Sequence, residues 1–137
     1  MSVEDYFIRY MEKFARALGL MIGFRQKGRP EESIRIATQF YDEQLDIPPH
    51  ESACITDKAF IPTVQKQNYD QSALNYLAQI AHETAKAYEM QYKGEKARSF
   101  YSISYALYLM ATEKDRTYSP ERELLMKELS KKLKEEK

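Results

Sequence analysis

The 137-residue chain has a single cysteine, Cys54, so no intrachain disulfide can form. Such usage fits a reducing compartment and predicts a cytoplasmic protein. Tryptophan is absent, and the four glycines, at 19, 23, 28 and 94, never cluster. Phosphate-cradling and dinucleotide-binding loops need clustered glycines so that backbone N–H groups can approach a phosphate, and they are excluded as patterns. A surplus of one charge is lacking too, since 21 Lys and Arg offset 21 Asp and Glu. Nucleic-acid binders draw their non-specific affinity from a basic excess. Here no segment concentrates cations without acids interleaved, so no nucleic-acid partner is expected. The most apolar stretch, ALGLMIGF at 17–24, is flanked by Arg16 and Arg25 and falls far short of the ~20 residues of a membrane span. The opening MSVEDYFIRY carries acids where a signal peptide needs positive charge. No membrane partner is expected.

Side chains that carry chemistry are sparse. His82-Glu83 begins like a zinc-protease motif, in which histidines at i and i+4 share a helix face. Position i+4 here is Lys86, a cation that repels zinc, and His82 reads as a solvated histidine on a polar helix face. Cys54 lies four residues from His50, but an activated thiolate needs a nearby cation or helix N-terminus and an oriented base. It reads as a semi-buried, inert thiol. No nucleophile elbow and no paired Glu-x-x-His motif occurs. The carboxylates Glu31, Glu32, Asp42 and Glu43 read as a solvated face. No catalytic residue, metal or cofactor is predicted, and the chain is not expected to be an enzyme.

What is present is helical periodicity. At 16.1 kDa the chain is one domain, large enough to bury about 68% of its unfolded surface. Phe7, Met11, Phe14, Leu18 and Met21 form one apolar stripe, widened by Tyr10, Ala17 and Phe24 on one side and by Ile8, Ala15 and Ile22 on the other. Ser2 is the predicted cap and Gly28 the stop. Pro30 opens a second helix, which ends at Ile47-Pro48-Pro49. Residues 47–69 carry Pro48, Pro49 and Pro62 without a sustained period. They read as a packed insert, an ordered loop with one short helix near Asp57–Ile61. A third helix runs from Gln71 to Lys93, with Ala73, Leu77, Ile80, Ala81, Thr84, Ala85, Tyr88 and Tyr92 on one face. Gly94 is expected to break it before a fourth helix, 95–114. Ser119-Pro120 caps a fifth, with Leu125, Leu129 and Leu133 as its stripe. The predicted fold class is all-α: a bundle of two antiparallel helix pairs, 1–46 and 70–115, with the 47–69 insert and a C-terminal helix, 119–137.

KGRPEESIRIATQFYDEQL at 27–45 and KGEKARSFYSISYALYLM at 93–110 share one cadence. Ala81, Ala85 and Tyr88, then Ala97, Tyr101 and Ser104, resemble the packing positions of a tetratricopeptide-type helix pair, and Leu20, Phe24, Ser33 and Ala37 match it more loosely. The pattern departs from that motif in lacking its 34-residue period, its tryptophan and its closing proline. DYFIRYMEKFARAL, the following Lys-Gly turn and the later tyrosine-rich pair also resemble an uncharacterised family of small helical bacterial proteins. That resemblance implies a fold and no activity.

Eleven tyrosines are the compositional oddity. Tyr101, Tyr105 and Tyr108 nearly share a face, and Tyr76, Tyr88 and Tyr92 lie on the facing helix. They are either core, with hydroxyls reaching the rim, or a candidate interaction surface gripping a peptide or a second subunit. The leading expectation is a non-catalytic protein–protein interaction or scaffolding module that self-associates, as a dimer, through the wide apolar face of the first helix. The rival is a small-molecule-binding or enzymatic bundle with a cavity between the first and third helices, for which tyrosine hydroxyls and Glu83 are the available polar groups.

Overall fold

A chain reversal is required near Gly28, and the computed structural model, which describes residues 3–114 and 119–135, places one there. Helix α1, Val3–Gln26, closes with Arg29 N–H donating to the Phe24 carbonyl (2.9 Å) and Gly28 N–H to that of Arg25 (3.0 Å). This pair of bonds needs a left-handed residue, and Gly28 supplies it at φ +72°. The predicted Ser2 cap lies outside the described residues. Pro30 is the first residue of α2, Pro30–Leu45. Ser33 Oγ donates to the Met21 carbonyl (2.9 Å), and Phe14 meets Phe40 edge-on at 4.9 Å. The two helices are therefore antiparallel, with Met21 level with Ser33 and Phe14 level with Phe40.

The insert is more helical than its prolines suggest. It holds α3, Pro49–Ser52, and an eleven-residue α4, Asp57–Gln67, where one short helix near Asp57–Ile61 was expected. Pro62 sits inside α4, where it has no N–H to offer the preceding turn. The Thr63 hydroxyl donates to the Phe60 carbonyl beside that gap (2.8 Å). Phe60 and Val64, one turn apart, are both buried where α4 packs on α6. That burial holds the helix across its proline.

Asp70 caps α5, Gln71–Met90, by accepting from Ala73 N–H (2.9 Å). The second reversal corrects the sequence reading. Gly94 does not make the turn; it is the first residue of α6, Gly94–Lys114. The left-handed residue is Tyr92, φ +59°. Lys93 N–H donates to the Tyr88 carbonyl and Tyr92 N–H to that of Glu89, both 3.0 Å, repeating the closure seen at Gly28. Ser119 caps α7, Pro120–Glu135, its hydroxyl accepting from Arg122 N–H (3.3 Å). The described residues are thus all-α, with no strand.

Helix α5 is the hub, packing on α6, α1 and α2, while α6 also carries α4 and α7. The Ser104 hydroxyl donates to the Ala78 carbonyl (2.7 Å), which lets α5 and α6 approach closely through small residues. At the centre, Tyr41 stacks on Phe100 (5.7 Å, 15°) and meets Phe60 edge-on, and Tyr88 stacks on the Phe100 ring as well. Tyr41 and Thr84 hydroxyls lie 2.8 Å apart. Thr84 spends its proton on the Ile80 carbonyl (2.8 Å), so Tyr41 is the donor between them.

Candidate functional site

The six tyrosines do not gather into one open face. Tyr88, Tyr101 and Tyr108 are buried, Tyr76 and Tyr105 are half-buried against the core, and Tyr92 is 96% exposed. Burial raises the phenol pKa of Tyr88, and more strongly those of Tyr41 and Tyr108. Tyr108 has a buried hydroxyl without a hydrogen-bond partner among the described residues.

His82 is only partly solvated. Its half-buried ring lies edge-on to Tyr101 at 5.7 Å, in a cleft of about 340 Å³ where α7 contributes Glu128, Leu129 and Lys132. Desolvation, followed by the positive charge of Lys86, lowers its pKa to about 4, so the imidazole is neutral at pH 7. Lys132 closes one side through Glu89 (2.9 Å) and stands 5.7 Å from the centre of the Tyr101 ring. The sequence places His82 on a polar stripe of α5; it cannot show that α7 lies across that stripe.

At the next position, Glu83 is buried and accepts from Arg25 at the end of α1, with Arg25 Nη2 at 3.3 Å and Lys86 Nζ at 3.5 Å. Arg25 fastens the end of α1 to α5, Lys86 adds a second cation from α5 itself, and the fully engaged carboxylate is poorly placed to act as a base. Cys54 also departs from expectation. It is exposed, and its Sγ lies 3.6 Å from the His50 carbonyl oxygen. Among the described residues no group of three His, Cys, Asp or Glu side chains could hold a metal ion, and no helix is long and apolar enough to cross a membrane.

An open groove of about 360 Å³ lies between α1 and α2. Ala17, Ile36 and Phe40 form its floor, and Leu20 its lip, 42% exposed. Lys13 and Arg16 stand on the α1 rim and Glu43 on the α2 rim. Glu43 accepts from Gln39 (3.0 Å), and none of the three charges makes an ion pair within the described residues. The sequence predicted an apolar face on the first helix but not its boundary. Phe14, Ala17, Leu18 and Met21 are spent on the core, leaving Ile8 and Leu20 as the exposed large apolar groups among the described side chains of α1.

No family model matches the chain, and no curated protein or solved structure does so either.

Proposed function

We propose that the chain is a non-catalytic protein-interaction module that associates with copies of itself, a cytoplasmic scaffold built on tetratricopeptide-like helix pairs. The carrying observation is the groove between α1 and α2. It combines an apolar floor, an exposed leucine lip and rim charges that make no ion pair among the described residues. Apolar surface bounded by charge is what a protein partner covers, and burying a leucine contributes about 2 kcal/mol. The test is sedimentation equilibrium of the purified protein up to high micromolar concentration, beside Leu20→Glu. A reversible oligomer weakened by the substitution supports the reading; a monomer throughout removes it.

A second reading, a small-molecule pocket, is favoured by the His82 cleft, where a neutral imidazole, Tyr101 and Lys86 converge with α7 side chains. Native mass spectrometry of protein taken from its own cells decides it. A stoichiometric small molecule lost in His82→Phe would support the pocket, and ligand-free protein would count against it.

A further inference from the structure

We infer that the groove's occupant is the same groove of a second copy, turned about a twofold axis running along the groove so that α1 of each copy lies over α2 of the other. The inference rests on the self-association reading above and specifies its geometry.

The helix register supplies the argument. Phe14 is level with Phe40 and Met21 with Ser33, so Lys13 lies level with Tyr41. Glu43 is two residues further along α2, about 3 Å at 1.5 Å per residue. Lys13 and Glu43 therefore occupy nearly the same height on opposite rims, with Arg16 five residues, about 7.5 Å, from the Glu43 level. An axis along the groove exchanges the rims and preserves height. Lys13 and Arg16 of each copy then meet Glu43 of the other, twice by symmetry. The alternative in-plane axis, across the groove, lays α1 over α1 and α2 over α2, so the cations of α1 no longer face Glu43. The same operation carries Leu20, level with Ile34, over the partner's α2, where Ile36 lines the floor. Each copy thus presents both the apolar lip and the surface that receives it. A stable dimer covers about 800 Å² per copy, more than the groove alone, so the contact takes in surface beyond it.

The test is a charge exchange. One variant carries Glu43→Lys, the other Lys13→Glu with Arg16→Glu. All three positions are exposed, and circular dichroism of dilute samples verifies that both variants keep wild-type helicity. Each variant alone places like charges on both rims, and its dimer is expected to weaken at least about tenfold. Mixed together, the two pair opposite charges at both symmetry-related contacts and are expected to form a heterodimer of near wild-type affinity. Wild-type protein that stays monomeric overturns this geometry and the self-association reading together. A wild-type dimer unmoved by either variant, or two weakened variants that fail to combine, overturns the groove-to-groove geometry and leaves self-association standing.

Discussion

Tyr92 holds in the α5–α6 turn the position that Gly28 holds in the α1–α2 turn. Both are left-handed, at φ +59° and +72°, and both are followed by an N–H that reaches back five residues to a helix carbonyl. The difference is the side chain. Glycine adopts this conformation without penalty, whereas a residue with a Cβ is strained there by about 1–2 kcal/mol. Tyr92 recovers none of that by packing, because its side chain is almost wholly in solvent. Tyr92→Gly is therefore expected to stabilise the fold by about 1 kcal/mol and raise Tm by about 3–5 °C. Gly28→Ala should destabilise by a similar amount. Thermal denaturation followed by circular dichroism measures both.

The two most buried phenols should respond to loss of the hydroxyl in opposite senses. Tyr108 keeps its hydroxyl buried without a partner among the described residues. Removing an unsatisfied polar group relieves about 1–2 kcal/mol of desolvation penalty, so Tyr108→Phe is expected to be neutral to stabilising. Tyr41 donates to Thr84. Tyr41→Phe is expected to cost about 1 kcal/mol. Urea midpoints at pH 7 separate the two.

The Arg25–Glu83 pair should be asymmetric under substitution. Glu83 is the buried partner, while Arg25 keeps a quarter of its side chain in water. Arg25→Met leaves Lys86 to neutralise the carboxylate and is expected to cost about 1 kcal/mol. Glu83→Leu strands Arg25 and Lys86 where solvent can still reach them, costing about 1–2 kcal/mol after allowance for screening. A coupling energy well above zero in the double-mutant cycle is the expected result.

His82 makes stability fall in weak acid. Its folded pKa, about 4, lies below the unfolded value of 6.5, so the unfolded chain binds the extra proton between those limits. The contribution is fully present above pH 6.5 and is lost progressively as pH falls toward 4. Wild-type protein is expected to lose about 1–2 kcal/mol more than His82→Gln between pH 7 and pH 5. Equal slopes in denaturant titrations of the two proteins would contradict the placement of α7 over the imidazole.

Sequence reading succeeded where one helix face decides the outcome. The positions of Phe14, Leu18 and Met21, the Gly28 stop, the Pro30 start and the Ser119 cap follow from periodicity and capping chemistry, and all are in place. It missed where tertiary contact overrides a local signal. Pro62 reads as a breaker, but buried Phe60 and Val64 hold its helix together. Gly94 attracted the turn assignment because glycine is the usual left-handed residue, whereas backbone closure two residues earlier imposes that conformation on Tyr92. The groove was legible only as surplus apolar surface on the first helix. Its rim charges become a feature once the antiparallel register sets Lys13 beside Glu43. His82 escaped because its covering helix lies far away in sequence.

The Phe100 ring stacks against Tyr41 of the first hairpin and Tyr88 of the second, and Phe60 of the insert closes on the same group. The molecule therefore has no seam. Neither hairpin could be excised and keep its shape, because each would leave behind one side of a shared aromatic stack. The chain should melt as one cooperative body instead of unzipping pair by pair as a solenoid does.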